Sequence, residues 1–443
     1  MHSFAIPLRE PEVRAPAELL AHLPLGSSPH LLDARAPGGW GSPLALQGPV
    51  RSLLAIRPEV TFLGGLEALR DAERWLAQFR GRPPLDAVLI GSFAYELGHE
   101  LAAGRVRTRS DSPSAPVSLA GFRALCVYDS QAHAAAVVGG CERATADLAD
   151  ELRALPRSRP MRCFPRVGRA RARTSDCEFM ESVRRVQTYI RHGDVYQVNL
   201  ARRLDTQAPD APGLRALYAR LADATEAPFC AYLETPDRAL LSSSPERFLR
   251  SDGADVETCP IKGTRPRGRT APEDAALLRE LLASSKDRAE HVMIVDLERN
   301  DLGRVCETGS VHVPRLCQPR SFSDVHHLVS TVRGRLRAPG DWVGLLAATF
   351  PSGSITGAPK LRAMQIVAEL EPVARDVYTG AIGCIDAAGG VDLSIAIRTA
   401  IAARGELHLH LGGGIVADSD PASELRETRD KGRGFARSWG FDA

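Results

Sequence analysis

Lys262 lies in the run Pro260-Ile261-Lys262-Gly263-Thr264-Arg265-Pro266-Arg267-Gly268, between a strand-like stretch over 255–259 and a helix start at Pro272. Proline fixes the backbone on one side and glycine opens it on the other, so a turn there can aim one lysine stem. An amine close to Arg265 and Arg267 releases its proton more readily, and the free amine is a nucleophile. An exposed basic turn accounts for the same residues. Glu246, in Ser244-Pro245-Glu246-Arg247-Phe248, and His327, in Val325-His326-His327-Leu328, are of the types that carry acid–base chemistry. Each of them, taken alone, serves equally well as a structural residue.

A second set of residues suits bound ions. Asp418-Ser419-Asp420-Pro421 reads as a helix start, with Asp420 as the cap and Pro421 at the first helical position. Glu424, Glu427, Thr428 and Lys431 then fall on one face of that helix. Asp287 and Glu290 repeat the acidic pair on a helix over 286–299. Carboxylates in such pairs suit a hard cation, and magnesium needs few of them because it keeps waters and takes substrate oxygens. A solvated, salt-bridged face is the alternative. Gly412-Gly413-Gly414 follows a strand-like run, and consecutive glycines let bare N–H groups approach an anion. The run Gly353-Ser354-Ile355-Thr356-Gly357-Ala358-Pro359-Lys360 does not have the order of a nucleotide-binding loop. Arg398, among apolar residues in a strand-like run over 394–403, calls for an anionic partner, either a structural carboxylate or a substrate.

The elements that must position these residues fall into two regions. Residues 1–165 alternate short apolar runs (87–95, 123–128, 134–138) with Pro/Gly turns and lead into a helix over 142–155. A basic, proline-broken stretch over 157–173 marks the boundary. Residues 170–440 carry a capped helix from Ser175 to Gly193 and strands near 231–233, 239–242 and 248–250. Helices follow over 272–284, 286–299, 341–348 and 359–370, then late strands over 380–386, 394–403 and 407–411. Strands and helices mix without a βαβ period, so the expected fold class is α+β. The 443 residues are 44% hydrophobic and 25% charged, with a net charge of +2. That is an ordinary globular composition, without the basic footprint of a nucleic-acid or membrane-surface protein. Nine scattered cysteines form no zinc pattern and suit a reducing, cytoplasmic setting. The start of the chain lacks a signal-peptide core, and no apolar run is long enough to span a bilayer.

These blocks, in this order, resemble the chorismate-utilising enzymes, the group that holds anthranilate, aminodeoxychorismate, isochorismate and salicylate synthases. The resemblance is dense from about Asp176 to Lys431. It is carried by Gly193-Asp194-Val195-Tyr196-Gln197-Val198-Asn199-Leu200, Ser244-Pro245-Glu246-Arg247-Phe248, the Lys262 run, 291–301, 326–331, 350–360, 397–399 and 412–431. It implies packed antiparallel sheets enclosing the active site, with helices outside. Two positions sort the chain within the group. The aminodeoxychorismate branch has lysine where Lys262 stands and the anthranilate branch has alanine. The branches that add water carry a lysine where this chain has Gln197, and an amide cannot act as that base. His291, after Glu290, is the residue found in anthranilate relatives. Leu31-Leu32-Asp33-Ala34-Arg35 departs from the group's tryptophan-binding Leu-Leu-Glu-Ser at Asp33 and Ala34.

The resemblance also implies roles. Lys262 adds at C2 of chorismate as hydroxide leaves C4; ammonia then attacks C4 and expels the lysine. Glu246 is the acid–base residue, and His327 assists at the ring. Mg²⁺ is held by Glu290, Glu424 and Glu427 and clamps the ring carboxylate. Arg398, Tyr378, Lys431 and the Gly413 and Gly414 amides hold the enolpyruvyl carboxylate, with Thr264 in the same substrate-binding set. No glutaminase cysteine motif is found, so ammonia is expected from a separate glutaminase subunit, and no fused lyase that removes pyruvate is expected. The alternatives are conversion of chorismate to anthranilate plus pyruvate, and a non-catalytic chorismate-binding relative.

Overall fold

The computed structural model describes residues 4–8, 14–35, 51–106, 114–130, 132–156, 165, 167–322 and 325–440. Two antiparallel sheets, of twelve and ten strands, lie face to face with helices outside them. In the central strands neighbouring residues serve different layers. Leu32, Leu53, Val88, Ile90, Leu240 and Ile382 meet between the sheets. Leu31, Leu54 and Leu241 instead face the Pro16–His22, Glu142–Ala154, Ala211–Thr225 and Pro421–Trp439 helices. Leu89, Phe93, Leu249 and Leu393 face the Leu66–Ala77 and Trp342–Thr349 helices. Strands covered on both faces read as continuous apolar runs rather than alternating ones, as Val88–Phe93 does, buried at every position.

The basic connector expected over 157–173 lies mostly outside the described residues. Strands on its two sides share both sheets. Phe4–Leu8, His30–Asp33, Arg51–Ala55, Ala124–Asp129 and Ala134–Gly139 complete the twelve-stranded sheet, and Val60–Gly64, Val88–Phe93 and Val117–Phe122 the ten-stranded one. The joins are direct, with His30–Asp33 paired to Phe229–Thr235 and Val88–Phe93 to Ala381–Asp386.

The expected caps are present. Ser175 and Glu178 form a reciprocal capping box on Asp176–Arg191, followed by Gly193 at φ 81°. The Asp420 carboxylate accepts from Ser423 N at the start of Pro421–Trp439, with Pro421 in the first turn. The expected strand over 394–403 is corrected. It is two strands in different sheets, Val391–Ile395 in the ten-stranded one and Thr399–Ala403 in the twelve-stranded one. Arg398 therefore stands at a sheet crossing with φ 48°, not inside a central strand. A largely apolar run hides such a crossing, because both halves are buried at every position.

Candidate active site

Two neighbouring segments cross between the sheets side by side. Arg238–Ser244 belongs to the twelve-stranded sheet and Arg247–Ser251 to the ten-stranded one, so Pro245-Glu246 is a second crossing. Ile395 N donates to Glu246 O at 3.0 Å, Ser243 N to Arg398 O at 3.0 Å and Ser244 Oγ to Ile395 O at 2.6 Å. The two crossings lock together, which places Glu246 and Arg398 in one corner.

Lys262 does not sit in a turn. Ile261–Pro266 is a strand paired to Val325–Arg335, with a register shift between Lys262 and Thr264 and Gly263 at φ 73°. This is a bulge, which re-aims the side chain beside it, and glycine tolerates the left-handed backbone there. The Lys262 ammonium donates to Ser354 O at 3.0 Å. The Ser354 hydroxyl donates to Glu246 Oε1 at 2.8 Å, and Ile261 N donates to the same oxygen at 3.3 Å. The short Gly353–Ile355 turn thus ties the lysine to the acid. Burial pushes the Lys262 pKa down, opposed by the Glu246 charge and aided by Lys431. The expected cause is corrected: Arg265 pairs with Glu280 and Asp287, and Arg267 with Asp274. Burial raises the Glu246 carboxyl to about 7, although Lys262 and the Ser354 hydrogen bond oppose it.

His327 faces Thr264 across the same strand pair. Its Nδ1 lies 3.0 Å from Thr264 Oγ1 and 3.2 Å from Gly263 O. A carbonyl only accepts, so Nδ1 carries the hydrogen in the neutral ring and Nε2 is left as an acceptor. Nε2 is buried without a protein partner among the described residues. Burial and then the Arg398 charge lower the His327 pKa to about 4, so the ring is neutral at physiological pH.

The acidic group lies around Gly413. A Cβ there would stand 3.4 Å from Glu424 Oε2, 3.5 Å from Glu427 Oε1 and 3.5 Å from Lys431 Nζ. Lys431 Nζ donates to Glu427 Oε1 at 2.7 Å and to Gly412 O at 2.8 Å. Burial raises Glu290, where Asp287 and Glu427 add to the effect, and it raises Glu424, where Glu427 adds. An all-oxygen set of three carboxylates, partly offset by Lys431 on Glu427 and by Lys286 at 4.0 Å from Glu290, is of the ligand type that suits a magnesium ion retaining its waters. The three carboxylates do not approach within 4.8 Å of one another as a group. Among the described residues the trio that does is Asp205, Glu406 and His408, where Arg173 and Arg203 already neutralise Asp205.

The glycines 412–414 lie inside the strand Glu406–Ile415, opposite Asn199–Ala201. Asn199 N and Ala201 N turn away to Thr356 O and Glu371 Oε1. Leu200 is therefore the residue that exchanges ladder bonds with Gly413. The expectation for the Gly413 amide is corrected on this geometry: the ladder takes it, and the Gly414 amide points outward. Gly414 is needed for a different reason. A Cβ there would stand 2.7 Å from Gln197 Nε2, and Gln197 is buried with neither amide atom paired to protein among the described residues. Tyr378 stacks on His410 at 5.1 Å and lies beside Arg375. Arg375 bonds Asn199 O at 2.7 Å and Ile355 O at 3.3 Å, so this group buttresses the site from behind.

Sequence reasoning missed Ser352, Ser354, Arg375 and Glu298. The signal for Glu298 was available. On the Ser285–Gly303 helix, His291, Ile294, Val295, Glu298 and Leu302 form the buried stripe, and an acid at a stripe position needs a reason.

Two sheet crossings thus deliver an acid beside a half-buried lysine, with a carboxylate cluster opposite, and the chain as a whole has counterparts among known proteins. Residues 29–437 match the chorismate binding enzyme family, and the chain belongs to that family. At 50% identity over 261 residues it is similar to the aminodeoxychorismate synthase component 1 of Klebsiella aerogenes, covering 59% of this chain and 57% of that protein. It is 47% identical over 263 residues to the anthranilate synthase component 1 of Streptomyces coelicolor, covering 59% and 51%. The matches thus span little more than half the length of these relatives. The fold resembles that of anthranilate synthase component I from Streptococcus pneumoniae, at a TM-score of 0.77 and 28% identity over 87% of this chain and 92% of that one. No helix among the described residues is long and apolar enough to cross a membrane.

Proposed function

We propose that the chain is an aminodeoxychorismate synthase component 1, converting chorismate and ammonia to 4-amino-4-deoxychorismate, on the route to p-aminobenzoate and folate. The observation that carries this reading is Lys262 itself, a half-buried amine held on Ser354 O at 3.0 Å beside a carboxyl raised to about 7. A lysine whose proton is loosened by burial is a nucleophile, and a carboxyl poised near neutrality is an acid. The Lys262 Nζ–C2 bond forms as the C4–O bond breaks, the electron pair moving through the ring diene. Glu246 gives its proton to the departing hydroxide, which leaves as water. Ammonia then forms the C4–N bond, the electrons return, Lys262 leaves C2, and Glu246 recovers a proton from the new ammonium.

Arg398 and Lys431 supply positive charge for the two substrate carboxylates, and the Gly414 amide and Thr264 hydroxyl supply neutral donors. The neutral His327 ring offers Nε2 as an acceptor at the ring. Magnesium at Glu290, Glu424 and Glu427 would neutralise a substrate carboxylate and fix its orientation. Ammonia would come from a separate glutaminase subunit in a reducing cytoplasm, a setting that the free cysteines support.

Anthranilate formation is the second reading. It is favoured by His291, buried against Ser330 at 2.6 Å, and by the Streptomyces relative. Mass spectrometry of products from chorismate, Mg²⁺ and ammonium separates the two. An aminated product without pyruvate is expected; pyruvate released in step with turnover would sink the first reading. No product at all would point to a chorismate-binding protein without catalysis.

A further inference from the structure

Glu298 is an acid for which the reaction above has no use. It is 1% exposed. Ser352 Oγ donates to its Oε1 at 2.8 Å, and its Oε2 has no protein partner among the described residues. Ser352 Oγ lies 3.1 Å from Ser354 Oγ, which donates to Glu246 Oε1 at 2.8 Å. Two carboxyls are therefore joined by two hydroxyls, and all four side chains are buried. The geometry is held from both sides. Ser352 caps the short turn by accepting from Ser354 N, and a Cβ on Gly353 would come within 2.2 Å of Leu297 on the Glu298 helix. Turn and helix cannot separate without breaking that packing.

Charges around the chain of contacts come from several elements. Asp301 stands one turn on from Glu298, paired to Lys360 at the start of the Lys360–Leu370 helix. Lys262 and Lys431 act on the Glu246 end. Burial raises Glu298 to about 7, with the charges of Asp301 and Glu246 adding and Lys360 opposing. Both ends thus change protonation in the same range, and each one's charge disfavours ionisation of the other.

We propose that Glu298 is a positioning residue that holds a proton for Glu246 and exchanges it through Ser352 and Ser354. When Glu298 carries the proton its O–H is the donor and the Ser352 hydroxyl turns toward Ser354. The Glu298 O–H bond then breaks as its proton passes to Ser352 Oγ. The Ser352 proton passes to Ser354 Oγ, and the Ser354 proton to Glu246 Oε1. One proton moves and both hydroxyls are restored, since each can accept and donate. Glu246 is thereby kept protonated between the two half-reactions without water entering the site, and the proton it takes from the new ammonium sends one back to Glu298 along the same path. The relay rests on the reading that Glu246 transfers a proton, but the coupling of the two acids does not.

The test separates the two. Infrared difference titration of the full chain, carrying carboxyl-labelled glutamate and no substrate, follows the wild type, Glu298→Gln and Glu246→Gln. Two acids titrating near neutrality are expected, and removing either should move the other to lower pH. An unmoved Glu246 titration in Glu298→Gln overturns the coupling, whatever the product assay gives. For the relay, Ser352→Ala keeps both acids and cuts the path. It should lower kcat with ammonium roughly 10²-fold with KM for chorismate unchanged, and Ser352→Thr should restore it. In Glu298→Gln the alkaline limb of kcat should shift to lower pH. Full kcat in Ser352→Ala with an unmoved limb in Glu298→Gln overturns the relay. Should Ser352→Ala fail to fold, the limb in Glu298→Gln decides.

Discussion

The two walls that meet at Lys262 use the same residue types in opposite ways. On the buried wall, Glu246 and Glu298 lie under protein on every side, and burial holds both near 7 and depresses Lys262. On the other wall, Glu290, Glu424 and Glu427 keep part of their surface exposed. Burial works to raise Glu427 as well, but Lys431, Lys262 and Lys286 outweigh it and hold it low. On the second wall burial still raises Glu290 and Glu424, and only Glu427 is held low by its lysines. On the proposed reading the first wall moves protons and the second holds a cation. Environment, not residue identity, divides the labour, as it does wherever one site needs both an acid and an anion.

The largest way to break this contrast is to remove the lysine that both walls face. Lys262→Ala should lower aminated product with glutamine or ammonium as donor by roughly 10³-fold, the range of a positioned catalytic group. Chorismate binding should persist, because Arg398, Lys431 and the carboxylate wall are untouched. Steady-state product analysis together with chorismate titration checks both parts. Unchanged turnover would remove Lys262 from the chemistry and leave the buried wall without a purpose.

The two walls were unequally legible in the sequence. The carboxylate wall was easy to find, because a capped helix fixes which residues share a face: Glu424, Glu427 and Lys431 follow from Asp420-Pro421 by spacing alone. The buried wall was not. Lys262 stood out by type, yet its strand looked like a turn, because a bulge at glycine has the same local composition as a turn. Its depressed pKa was ascribed to Arg265 and Arg267, which are near in sequence but paired to acids elsewhere. The crossings at Pro245-Glu246 and 396–398 are long-range pairings that no local pattern encodes. Helices were placed within a few residues where caps were strong, while Ala211–Thr225 passed unnoticed despite an aspartate cap and proline in its first turn.

Burial that raises an acid should also appear as a stability cost, and Glu96 isolates this from catalysis. It is fully buried, accepts from Arg375 N at 3.0 Å, and burial followed by the Asp376 charge raises it to about 8 from 4.5. Its folded pKa exceeds the unfolded value, so folding carries no penalty below about pH 4.5. The penalty grows as pH rises to about 8 and stays level above. Glu96→Gln should therefore gain on the wild type as pH rises through that window, by on the order of 5 kcal/mol between its ends. Denaturant unfolding at several pH values measures it. A difference that does not change with pH would show that burial alone does not shift these acids, and would weaken the account of Glu246 and Glu298 equally.

The smallest expected effect sharpens the other wall. Ser419 Oγ donates to Glu424 Oε1 at 2.6 Å and accepts from Val416 N at 3.1 Å, so it orients one carboxylate without facing the substrate itself. If Glu424 holds magnesium, Ser419→Ala should raise the Mg²⁺ concentration for half-activation about tenfold, as loss of a partner behind a metal ligand does. Activity at saturating Mg²⁺ should return to the wild-type level, and the titration of Glu246 should stay where it is. Titrating activity against Mg²⁺ reads the first and the infrared measurement the second. An unchanged Mg²⁺ requirement would take Glu424 out of the cation site. A moved Glu246 titration would mean that the walls are coupled through Lys262, not divided by it.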